Sequence, residues 1–154
     1  MPELDTKFFG KLQYTPEAVF EFASGIPAFE TQTAFLFVEQ PHTGPLILMQ
    51  SLVDPNLCFI TVPVYVVDPQ YRLQLSREDL SALEFAEGSA PHIGTDVTCL
   101  ALVTVAEGAD PTANLASPVV LNLHNRKGVQ AIQDGTPYAY QHPLLAKEDV
   151  ALCS

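Results

Sequence analysis

Thirteen prolines cut this chain into short runs, and that punctuation constrains the fold more than any other feature. Proline fixes φ, donates no backbone hydrogen bond and disfavours helix in the residue before it, so runs of alternating or apolar residues between such breaks read as strands. Residues 5–8 and 11–14 flank Phe9-Gly10 as a hairpin, and residues 19–22 lead into a turn at Gly25-Ile26-Pro27. Residues 33–39, 46–52, 58–63 and 71–75 follow as strands, spaced by Pro41, Gly44-Pro45, Asp54-Pro55 and Asp68-Pro69. The runs Phe35-Leu36-Phe37-Val38 and Cys99-Leu100-Ala101-Leu102-Val103 are apolar at every position, as in strands packed on both sides. Closing such strands into a barrel covers them and reduces free edges. One helix is expected over residues 76–83, where Ser76 precedes Asp79 as a capping pair and Leu80 and Leu83 share a face. The expectation is a single all-β, antiparallel, barrel-like or sandwich domain over residues 1–145. It has about seven to nine strands of ordinary length, one short helix, and a tail at 146–154.

Residues 110–133 hold most of the unusual polar side chains. Asp110-Pro111 starts a turn, and Asn114 tolerates left-handed φ. Pro118 opens a strand in which Val119, Leu121 and Leu123 alternate with Val120, Asn122 and His124. Asn125-Arg126-Lys127-Gly128 reverses the chain, with Gly128 supplying positive φ, and residues 129–133 return with Val129 opposite His124.

At 154 residues the chain can bury roughly 70% of the surface its unfolded form exposes, and 47% apolar composition with nine Phe and five Tyr suits a globular core. The first residues lack a signal-peptide pattern, and no apolar run approaches the ~20 residues that cross a bilayer. The reading is a cytoplasmic protein with no membrane association. Cys58 and Cys99 sit in strand-like runs as small core groups, and Cys153 is a tail thiol. Eighteen acidic against seven basic residues give a net charge of -11, with no Lys or Arg between Lys11 and Arg72. Such a surface repels phosphate backbones, so no direct nucleic-acid binding is expected. The same acidity serves either solubility or attraction of a basic partner.

No metal-ligand spacing joins His42, His92, His124 and His142, and glycine-rich phosphate loops and nucleophile elbows are absent, so neither cofactor nor metal is expected. A Cys/His hydrolase built from Cys58 or Cys99 with His124 and Asp54 is the competing enzyme reading. Against it, both thiols lie in apolar runs with hardly a cation nearby. Asn114, Asn122, Asn125, Arg126 and Gln130 bond backbone as readily as they bond a partner. Arg126-Lys127, the one adjacent basic pair, either holds an acidic element of a partner or bridges to neighbouring carboxylates.

Thr112-Ala113-Asn114-Leu115, then Pro118-Val119-Val120-Leu121-Asn122 and Gly128-Val129-Gln130, resemble the signature of the flagellar assembly factor FliW family. Thr6-Lys7-Phe8-Phe9-Gly10, the segments 25–30 and 50–59, and His142-Pro143-Leu144 resemble further family segments in the right order, so the resemblance spans residues 4–144. Ala28 stands where the family usually has a second Gly, and the tail runs past the usual end. The resemblance implies a small non-enzymatic β protein of the bacterial cytoplasm that binds flagellin and the RNA-binding repressor CsrA, each excluding the other. The expectation is a monomer when free of these partners. Glu30 and Asp54, in turns that resemble the family's, are then expected on the face that meets the basic repressor, or are solvated turn carboxylates.

Overall fold

The computed structural model describes residues 2–144, so the tail and Cys153 lie outside the described residues. The strands are β1 (Glu3–Thr6), β2 (Gly10–Gln13), β3 (Phe20–Glu21), β4 (Ala34–Glu39), β5 (Ile47–Ser51), β6 (Cys58–Pro63), β7 (Val97–Thr104), β8 (Thr112–Asn122), β9 (Gly128–Gln130) and β10 (His142–Pro143). Two short helices, α1 (Val64–Val67) and α2 (Arg77–Ala82), accompany them. β1 and β2 pair only with each other. The other eight form one antiparallel sheet in the order β10-β8-β7-β6-β5-β4-β3, with β9 also on β8. This sheet curls until its ends meet. The Glu21 N–H donates to Arg126 O at 2.9 Å, and Glu21 and Lys127 form a parallel bridge between β3 and the β8–β9 turn. The result is a nearly closed, barrel-like domain.

The period of two along each strand sorts the apolar residues onto two faces. Phe22, Phe35, Met49, Leu100, Val119 and Leu121 fill the interior, with Phe37, Ile47, Phe59 and Leu102 packed against them. Edge-to-face contacts lock this core, with ring centroids 5.3 Å apart for Phe22–Phe35 and 5.4 Å for Phe20–Phe37. The alternate residues Val62, Cys99, Ala101, Ala113 and Val120 face outward under a second layer built from Val64, Tyr71, Leu83 and Ala131. The run 99–103 is therefore buried from both sides because the barrel wall there lies between two cores.

Several local expectations change. Pro118 does not open a strand; it lies inside β8, which is paired from Thr112 onward. The register jumps there, with Leu100 opposite Val119 and Leu102 opposite Asn114, so residues 115–118 bulge against Ala101. A bulge is where a residue without an N–H costs no ladder bond. Residues 71–75 form no strand. Tyr71, Leu73 and Leu75 still face the outer core, but the Gln133 side chain replaces a neighbouring strand: its Oε1 accepts from Gln74 N–H and its Nε2 donates to Gln74 O, both at 2.7 Å. The helix α1 is unannounced by propensity, since Val-Tyr-Val-Val favours strands; burial of Val64 and packing of Val67 override it. In the first hairpin β1 ends two residues, and β2 begins one residue, earlier than the apolar pattern suggests, because the Thr6 hydroxyl accepts from Phe9 N–H (2.9 Å) and donates to Gly10 O (3.0 Å). At α2 the expected cap is present, with Asp79 N–H donating to Ser76 Oγ and Ser76 N–H to the Asp79 carboxylate.

Candidate partner-binding surface

The β8–β9 hairpin closes the barrel, and its polar side chains work inward. Asn114 Oδ1 accepts from the N–H groups of Ala116 (3.1 Å) and Ser117 (3.0 Å), satisfying donors that the bulge removes from the ladder. Asn114 is thus a strand residue, not a left-handed turn residue. Gln130 Nε2 donates to Ser117 O at 2.9 Å from the other side of the same bulge. Asn122, only 2% exposed, donates to Leu83 O at 2.8 Å and accepts from His124 N–H. Asn125 donates to the same Leu83 O at 3.0 Å and accepts from Lys127 N–H. Together Asn122 and Asn125 bind the C-terminal end of α2 to the hairpin.

At the tip, Arg126 rather than Gly128 takes positive φ, at 60°. Gly128 is needed for space instead: a Cβ there would lie 2.5 Å from the Phe22 ring. Lys127 Nζ meets Glu21 Oε2 at 2.9 Å, and this contact raises the lysine pKa. Of the basic pair, only Arg126 extends an exposed side chain, without a partner among the described residues. His124 lies in the turn, not opposite Val129, whose partner is Val120. Its ring reaches Asp96 at 3.3 Å, and the His92 N–H and the His124 ring hold the Asp96 carboxyl below its usual range.

Glu30 and Asp54 lie on different turns. Glu30 is exposed on the turn containing Ala28, which itself takes positive φ at 71°, the conformation a glycine there would adopt freely. Glu30 lines a cleft of about 450 Å³ together with Glu78, Asp79, Ala23, Gly128 and Gln130. Glu78 and Asp79 were legible as first-turn acids of α2; their position opposite Glu30 depends on tertiary packing. Asp54 sits in the β5–β6 turn, where its Oδ1 accepts from Asn56 N–H at 2.9 Å, a bond that asparagine could also accept. Next to it, Pro55 O accepts from Lys7 N–H at 3.2 Å and so anchors the β1–β2 hairpin.

Burial works against the thiols of the competing hydrolase reading. Burial pushes Cys58 up to about 11 and raises Cys99 further. Burial thus disfavours in both the thiolate that nucleophilic attack uses. Among the described residues no group of three or more His, Cys, Asp or Glu side chains could hold a metal ion, and no helix is long and apolar enough to cross a membrane.

Geometry of this kind places the chain among small barrel-like β domains whose polar hairpin serves closure and whose free carboxylates lie on the surface. The profile of the FliW protein family matches residues 3–144, and the chain belongs to that family, the flagellar assembly factors. It is 32% identical over 145 residues to the flagellar assembly factor FliW of Caldanaerobacter subterraneus subsp. tengcongensis, covering 93% of each chain. It is 31% identical over 144 residues to that of Thermoanaerobacter pseudethanolicus, again covering 93% of each. A crystal structure of a flagellar assembly factor FliW superposes with a TM-score of 0.81 at 30% identity, covering 96% of this chain and 99% of the other.

Proposed function

We propose that this protein binds flagellin and, in exclusion with it, the translational repressor CsrA in the bacterial cytoplasm, so that flagellin synthesis follows secretion. Family membership supports the two partners. The observation that carries the repressor half is the acid-only span from Leu12 to Tyr71, with Glu17, Glu30 and Glu39 exposed. An RNA-binding protein carries cationic groups for phosphates, and opposite fields speed encounter while a smaller desolvated contact sets affinity. Flagellin would be held by apolar and main-chain contacts, which depend weakly on salt.

Surface plasmon resonance at several salt concentrations tests this reading with purified partners. Saturating flagellin should abolish CsrA capture, and Glu30→Gln with Asp54→Asn should slow CsrA association and flatten its salt dependence while flagellin binding persists. Asp54→Asn keeps an acceptor for Asn56 N–H, so the turn survives the change. Simultaneous binding of both partners would refute exclusion, and an unchanged rate and salt slope would remove Glu30 and Asp54 from the steering surface.

A further inference from the structure

The barrel does not close along its whole seam. β3 and the β8–β9 turn join at Glu21, whose N–H reaches Arg126 O, and then the two walls part. On the β9 wall, Asn122 N–H donates to Lys127 O and Ala131 N–H to Pro118 O, both at 2.8 Å. Antiparallel alternation then directs the Val129 and Ala131 backbone groups to β8 and turns those of Gln130 away from it. On the opposite wall Ala23 follows β3 as a turn residue. Among the described residues, the backbone N–H and C=O of Ala23 and of Gln130 have no hydrogen-bond partner. Between these walls lies the cleft rimmed by Glu30, Glu78 and Asp79.

We propose that this open seam is a docking groove for an extended, basic peptide segment of a partner, which adds a strand between Ala23 and Gln130 and sets its Lys or Arg side chains against Glu30, Glu78 and Asp79. Unpaired edge groups accept a strand in preference to a helix, because a helix satisfies its own backbone. The charge of the rim selects the occupant: Lys127 is held by Glu21 and Arg77 by Glu87, so neither neutralises the three acids. A second copy of this chain fits poorly, since its net charge of -11 opposes the same rim. Phe22, fully buried beneath Gly128, forms the floor of the seam.

The inference extends the reading of the acidic face as a partner surface, and its test uses neither flagellin nor the repressor, so the two can fail separately. The probe is a fluorescent peptide of alternating Lys and Val, about ten residues long, titrated into the full chain at low ionic strength. Its acidic Glu/Val counterpart and a version N-methylated at alternate residues serve as comparisons. Binding of the basic peptide alone is expected, with amide NMR shifts concentrated at Ala23, Ser24, Gly128 and Gln130. N-methylation should weaken it about tenfold by removing edge bonds, and Glu30→Gln with Glu78→Gln about fivefold, with an unchanged melting temperature as the folding control. Equal affinity for the N-methylated peptide would overturn the proposal, leaving only a diffuse anionic rim. No binding at low salt, or shifts elsewhere on the barrel, would overturn it as well.

Discussion

Two of the hairpins among the described residues, β1–β2 and β8–β9, have opposite character. The β8–β9 hairpin is sewn into the barrel: Asn122 and Asn125 converge on Leu83 O, Gln130 holds Ser117 O, Gly128 admits the Phe22 ring, and Lys127 grips Glu21. The β1–β2 hairpin pairs only with itself and leans on the barrel through the Lys7 N–H to Pro55 O bond, with Phe8 55% exposed at its tip. Polar residues concentrated in a turn therefore mark architecture in one hairpin, while an exposed aromatic in the other has little architectural use. Sequence composition alone ranks them the other way, because Asn, Arg and Gln look like recognition groups until their partners are seen.

The contrast is broken most forcefully at Gly128. Gly128→Ala should destabilise the protein by about 1–3 kcal/mol in urea unfolding, since the added carbon drives into the Phe22 ring. Combining it with Phe22→Leu should recover part of its cost. A loss under about 0.5 kcal/mol, the range of ordinary surface changes, would mean that the ring yields freely and that Gly128 is not the constraint. Asn122→Ala should cost about 1 kcal/mol. The figure sits at the low end because Asn125 also donates to Leu83 O and keeps that carbonyl bonded; the double change with Asn125→Ala should cost more than the two single changes added. At the other hairpin, Phe8→Ser should alter global stability by no more than about 0.5 kcal/mol. A larger loss would show that the hairpin is part of the core.

Much of the barrel is legible in the sequence. Residues 58–63 form β6 as bounded by Asp54-Pro55 and Pro63, and the two-faced run 99–103 is a wall between two cores. The capping pair at Ser76 marks α2 to within a residue. Apart from the helix α1, where burial overrides propensity, most of what escaped comes from side chains substituting for backbone partners. Gln133 stands in for a strand beside Gln74, Asn114 absorbs the donors of a four-residue bulge, and Thr6 closes a turn early. A period of two reports which face is buried, but it does not report what supplies the hydrogen bonds. The candidate surface was legible as charge, in the acid-only span, and illegible as shape. The meeting of Glu30 with Glu78 and Asp79 depends on how α2 packs near β9, and no local pattern encodes that distance.

The cover over the outer core is attached differently from the wall beneath it. Tyr71 donates its hydroxyl to Leu115 O at 2.6 Å, Tyr138 accepts from Arg72 N–H at 2.7 Å while stacking on Tyr71 at 4.2 Å, and Gln133 clasps Gln74. A ladder bond between backbones survives nearly every substitution except proline, whereas each of these clasps vanishes with one nucleotide change in the right codon. The wall can therefore drift in sequence while keeping its geometry, and the cover holds its place only while Tyr71, Gln133 and Tyr138 are retained.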